Sequence, residues 1–295
     1  MSYFQYGQDI LQDVLHRAGE PTTLSGAGAS DYIDQAKKYV QRAYYDILAY
    51  APWPWALKDP PGVLDVLKKK TNTATCANGS TSVTLGTSIS ASVAGWWFEV
   101  DGEVVPYRIA SHTGGTTAVT LDATYKEASV TLGACSIYKD EYDLASGCLK
   151  IWRAWNRNNP QEIVEIIYPN EMHNRFPFRS HSSISIARMT VVRDNKVRIK
   201  PWPEEDDITI EYEYTEKPTT DLAFDGGSSD IPVLPLNDRH LIADAALVML
   251  YNEKNDQRAS EIASLVSTKL NMMIRTYIAV GKARMYVRPG QGVWR

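Results

Sequence analysis

Ser82-Val83-Thr84-Leu85, Trp97-Phe98-Glu99-Val100, Val104-Val105-Pro106-Tyr107-Arg108-Ile109 and Ala118-Val119-Thr120-Leu121 are the runs on which the architecture of this chain turns. Each is short, rich in β-branched or aromatic residues, and bounded by residues that favour turns. Asp101-Gly102 and Gly114-Gly115 have the composition of hairpin turns. The runs recur about every 10 to 15 residues, a spacing that predicts a small antiparallel barrel or sandwich. Residues 71–138, which contain them, are rich in Thr, Ser, Gly, Val and Ala, and the composition changes at both ends. The stretch therefore reads as a β-module inserted into a body of different character.

Outward from the module, helical patterns dominate both ends. Ile10, Leu11, Val14, Leu15 and Ala18 recur at three-and-four spacing, and Gly19 with Pro21 closes that segment. Ser30 offers a cap to a second stripe of Ile33, Ala36, Val40, Ala43, Tyr44, Ile47 and Leu48, which Pro52 ends. The Pro52-Trp53-Pro54-Trp55 segment that follows is too rich in proline for a helix or an inner strand. Beyond the module, strands are predicted over Ile184 to Val192, Lys196 to Lys200 and Ile208 to Tyr214, the last with strict alternation. Asn237 is read as the cap of a helix bearing Leu241, Ile242, Ala245, Val248 and Met249. A further stripe, Ile262, Val266, Leu270, Met273, Ile274 and Tyr277, runs toward Gly281. The expected fold class is α+β: a helical body with an antiparallel sheet, an inserted β-barrel or sandwich, and an extended C-terminal arm. The expected domains are 1–70 with 139–281 as body, 71–138 as module and 282–295 as arm.

Composition narrows the function without naming it. Hydrophobic content of 44% and charged content of 22% are globular values, which exclude wholesale disorder. No stretch has the roughly 18 consecutive apolar residues of a membrane span. The first residues have neither the basic start nor the apolar core of a secretory leader. Three cysteines in no metal-binding spacing fit a reducing compartment rather than a disulfide scaffold. A net charge of -4 argues against a nucleic-acid clamp.

Sites of catalysis are not legible. The acidic run Glu204-Glu205-Asp206-Asp207 has oxygen ligands suited to Mg²⁺ or Ca²⁺, but its place between two strands reads as a solvated turn. The five histidines include no HExxH and no close pair. There is no G-x-S-x-G elbow, and no cysteine in a catalytic context. Gly26-Ala27-Gly28 joins two predicted helices and lacks the lysine of a phosphate loop. No enzymatic activity and no cofactor are expected. The arm differs from the rest: it carries Lys282, Arg284, Arg288 and Arg295, no acid, and glycines and a proline that oppose regular packing. Arg284, Tyr286, Val287, Arg288, Trp294 and Arg295 are the candidate partner-binding residues.

Taken in order, these features resemble a tailed-bacteriophage head-to-tail adaptor of the connector, head-completion or tail tubular type. The resemblance spans most of the chain. It runs from the helix Asp31 to Tyr50 into Pro52–Trp55, through a module opening Asn78-Gly79-Ser80-Thr81-Ser82-Val83-Thr84. It continues through Val197-Arg198-Ile199-Lys200-Pro201-Trp202-Pro203, a strand ending Tyr212-Glu213-Tyr214, and Ile231-Pro232 with Leu234-Pro235 before a long helix. The resemblance implies a structural virion protein at the head–tail neck, assembled in the host cytoplasm. It implies a homo-oligomeric ring, usually of twelve copies, docked under the portal protein. Such a ring holds a downstream tail, nozzle or tail-terminator protein and lets genomic dsDNA pass without sequence-specific binding. It implies no catalytic residues. The competing reading is a phage tail or surface module that binds glycan through Trp96-Trp97.

Overall fold

The computed structural model describes residues 4–19, 30–103, 105–176, 182–183, 188–193, 195–200, 202–203, 207–218 and 220–278. In chain order it begins with helices α1 (Gly7–Ala18) and α2 (Ser30–Leu48), then strands β1 (Gly62–Val66), β2 (Lys70–Cys76), β3 (Ser82–Ile89), β4 (Trp97–Val100), β5 (Tyr107–His112), β6 (Thr116–Leu121) and β7 (Val130–Tyr138). There follow β8 (Glu141–Asp143), β9 (Cys148–Asn156), β10 (Asn159–Ile163), β11 (Glu165–Ile166) and the short helix α3 (Pro169–Arg175). Strands β12 (Ser182–Ser183), β13 (Arg188–Arg193), β14 (Lys196–Lys200), β15 (Trp202–Pro203) and β16 (Ile208–Glu216) lead to helices α4 (His240–Glu253) and α5 (Arg258–Met273). A π turn, Ile274–Ile278, extends α5.

The expected helical body is corrected by this inventory. Among the described residues 35% are in strands and 32% in helices, so helices do not dominate. The surplus comes from 139–216, where nine strands form, three of them only two residues long. Strands that short have no alternation to detect, because a period of two needs several residues to register.

The chain divides into two compact units: Met1–Pro60, Gly147–Trp152 and Tyr214–Arg295 form one, Pro61–Ser146 and Arg153–Glu213 the other. In the first, α1, α2, α4 and α5 surround a core that includes Ile10, Leu11, Val40, Tyr44, Leu247 and Val266. Gly19 stops α1 with φ 76°, a left-handed turn that returns its N–H to the carbonyls of His16 and Leu15. Burial extends almost all round α4, from Leu241 to Tyr251, rather than following one stripe. Its start also differs from the expected Asn237 cap: Leu236–Asp238 forms a 3₁₀ turn, and α4 begins at His240 without a side-chain cap. Trp53 is fully buried; its indole N–H donates to Ile47 O at 2.6 Å, and its ring stacks on Trp55 at 5.6 Å.

The second unit holds a closed six-stranded barrel in the order β2-β3-β6-β5-β4-β7. Alternation is visible in β3, where Val83 and Leu85 point inward while Ser82 and Thr84 face out. Phe98, Val100, Val119 and Leu121 join them in the core of the barrel. The barrel's first and last strands pair, Lys70 opposite Ile137, so closure leaves no free edge. Open sheets complete the picture: β11-β13-β14-β8, the two-stranded β12-β15, and β1-β16-β9-β10, in which the chain crosses between the units within β9 and β16. No helix among the described residues is long and apolar enough to cross a membrane.

Candidate functional site

The six candidate residues of the arm, Arg284, Tyr286, Val287, Arg288, Trp294 and Arg295, lie outside the described residues. The described chain ends at Ile278, and the turn leading there lines a cleft of about 160 Å³ in the helical unit. Three pieces of chain build the cleft: the turn at Asp238, the start of α4 at His240 and Leu241, and the last turns of α5 with Lys269, Met272 and Tyr277. Its Tyr277, Lys269 and His240 each have a polar partner. The Tyr277 hydroxyl donates to Asp238 Oδ2 at 2.6 Å, and that bond, with burial, pushes the phenol up to about 12. Lys269 Nζ donates to Asp244 Oδ2 at 2.7 Å, and His240 Nδ1 lies 2.9 Å from Asn237 O.

The helical unit exposes large apolar side chains: Ile231, Val233 and Leu236 on the segment before α4, and Leu265 and Met272 on α5. Leu265 and Met272 are seven residues apart, two helical turns, and so share a face. Met272 is 60% exposed. Buried neighbours fix the segment before α4. Val233 N–H donates to the Tyr44 hydroxyl at 3.0 Å, and Arg239 Nε donates to Leu234 O at 2.9 Å. The segment is thus held by these bonds and by buried Leu234, while Ile231, Val233 and Leu236 stay outside.

Other residues singled out in the sequence are placed as follows. Of the acidic run, Glu204 to Asp206 lie outside the described residues. Asp207 accepts a hydrogen bond from the Lys68 N–H at 2.7 Å, so it ties two segments together and is more than a solvated turn residue. Trp96 is buried, and the Trp97 indole N–H donates to the buried Asp140 at 2.9 Å. The Trp97 side chain itself is half-buried. His112 is buried at the end of β5, with Nδ1 3.3 Å from Val93 N and Nε2 3.2 Å from Thr116 O. Among the described residues no group of three or more His, Cys, Asp or Glu is placed to hold a metal ion.

The cleft escaped the sequence because its walls are about 30 residues apart along the chain. The spacing of Leu265 and Met272 on a helix that also carries Val266, Leu270 and Met273 toward the core was the available signal. No family model matches the chain, and no curated protein matches it.

Proposed function

We propose that this chain is a head-to-tail adaptor of a tailed bacteriophage, a structural protein of the virion neck. In this reading, copies form a ring beneath the portal protein, extend the channel for genomic dsDNA, and offer a platform to a downstream tail or nozzle protein. The order of features that carries the resemblance supports it. So does the net charge of -4, since an acidic channel wall repels phosphate and lets DNA slide.

The observation that carries the proposal is the set of exposed apolar side chains, Ile231, Val233, Leu236, Leu265 and Met272, on the helical unit. Apolar side chains held outward by a fixed backbone suit subunit or partner contacts. Electron microscopy of the purified protein, alone and mixed with portal protein, tests the reading. Rings in either sample support it; a protein that stays monomeric and unattached in both overturns it.

A further inference from the structure

His112 ends β5 where two connections of the barrel lie side by side: residues 90–96, which join β3 to β4, and the turn 113–115 between β5 and β6. The two connections approach closely. A Cβ on Gly114 would stand 2.5 Å from Ser90 O, so the spacing requires glycine there. Gly115 N–H donates to Ile89 O at 2.7 Å, and Ser92 Oγ donates to His112 O at 2.8 Å. The imidazole of His112 adds a bond to each side. Its Nδ1 accepts the Val93 N–H at 3.3 Å, and its Nε2 lies 3.2 Å from Thr116 O. Only the neutral ring with its hydrogen on Nε2 satisfies both contacts.

The ring is 8% exposed, Val93 is fully buried, and Trp96 in the same connection is 7% exposed. Residues 82–96 and 113–121, which supply β3, the connection, the turn and β6, contain no titratable side chain. On β5 itself the titratable neighbours are Tyr107 and Arg108. The Tyr107 hydroxyl accepts the Lys126 N–H at 2.9 Å, and Arg108 Nη2 lies 3.9 Å from the place a Cβ on Gly95 would take. On β4, which pairs with β5, Glu99 accepts from the Tyr138 hydroxyl at 3.0 Å. The two segments that bond the ring nitrogens, 90–96 and β6, therefore offer no carboxylate to an imidazolium.

We propose that His112 is a pH-sensitive latch that holds the connection 90–96 against the β5–β6 hairpin. A proton taken from solvent by Nδ1 turns the acceptor into a donor facing the Val93 N–H. The bond is then lost and two donors oppose each other in a buried place. The latch holds while the ring is neutral and opens on acidification, which loosens Val93 and Trp96. The pairing of β2 with β7 on the barrel, Lys70 opposite Ile137, involves neither connection and stays closed. The proposal stands apart from the adaptor reading and does not depend on it.

The test is nuclear magnetic resonance of the full-length protein between about pH 8 and about pH 5, the span in which histidine changes charge. Two signals are followed in the same samples: the imidazole nitrogens of His112 and the hydrogen-exchange protection of the Val93 amide, corrected for the intrinsic pH dependence of exchange. At the upper pH the proton is expected on Nε2. Val93 protection is expected to fall about tenfold on acidification, the change that one lost hydrogen bond produces, while the Ile137 amide keeps its protection. In His112→Asn the amide oxygen accepts in place of Nδ1 and does not titrate, so the pH dependence at Val93 should vanish. If that variant does not fold, the wild type decides, because loss of Val93 protection must follow the titration of the imidazole. A proton on Nδ1 at the upper pH overturns the latch. So does Val93 protection that is independent of pH, that falls out of step with the imidazole, or that falls equally in His112→Asn.

Discussion

Gly7 opens α1 directly beneath the carboxylate of Asp230, which is fully buried. Asp230 Oδ2 accepts the N–H of Gln8 at 2.8 Å and of Gly226 at 3.1 Å, and Oδ1 accepts that of Phe224 at 2.9 Å. One side chain thereby satisfies a free N–H of the helix start and closes its own loop. A methyl group on Gly7 would run into Oδ1. Gly7→Ala is expected to cost about 1–3 kcal/mol, the range for disturbing a buried polar network, read as a lowered urea midpoint. Asp244 does comparable work between helices. Its buried carboxylate accepts from Arg17 of α1 at 2.8 Å and from Lys269 of α5 at 2.7 Å. Both cations keep about a third of their side-chain exposure (36% and 30%), so water softens the loss. Asp244→Ala is expected to cost about 2 kcal/mol, below the 3–5 of a fully buried pair, and chemical denaturation at low and high salt checks it. Neither interaction could be read in sequence, since Gly7 and Asp230 are joined only by folding.

The barrel is the element whose behaviour follows most directly from its closure. Cys76 and Cys135 lie inside it and Cys148 sits on β9; burial pushes these thiols up to about 11, 12 and 12. Thiolate is the reactive form, so all three are expected to resist a thiol reagent at neutral pH and to react together on denaturation. Stopped labelling followed by mass spectrometry measures this, and one fast-reacting cysteine in the folded protein would contradict it. Glu103 supplies a pH signature. Its hydrogen bond to Glu127, with burial and charge repulsion, raises its carboxyl above the usual range. The raised value means that the shared proton favours the fold below the ordinary carboxylate pKa, and that this contribution is lost as pH rises through the folded value. The denaturation midpoint of the wild type relative to Glu127→Gln should therefore fall as pH increases across that window. A difference independent of pH would remove the shared proton from the account.

At the scale of the whole molecule, the prediction concerns assembly. Truncation after Gly281 removes Arg284, Tyr286, Val287, Arg288, Trp294 and Arg295 without touching the buried residues of α4 and α5. The shortened chain is expected to keep its helix content and melting behaviour but to lose attachment to portal protein. Trp294→Ala alone should weaken attachment by more than about 2 kcal/mol, as an anchoring aromatic does, and by more than Lys282→Ala. Sedimentation with portal protein measures both, and wild-type attachment by the truncated chain would return the arm to a tail without a role.

The alternation of Val83 and Leu85 and the stripe of Ile10, Leu11, Val14 and Leu15 were legible because each is a period written within one element, with the partner face implied. The sequence alone therefore determined a β-rich module between helical ends and the inward sets of its strands. Tertiary structure decided what no local period encodes. Closure of the barrel depends on Lys70 meeting Ile137, and the two-residue strands β11, β12 and β15 exist only because partners lie beside them. Asp244 is a charged residue within a helix, and it is buried because Arg17 and Lys269 arrive from other elements to neutralise it. Charge, pairing and closure are properties of distances between segments, and folding sets those distances.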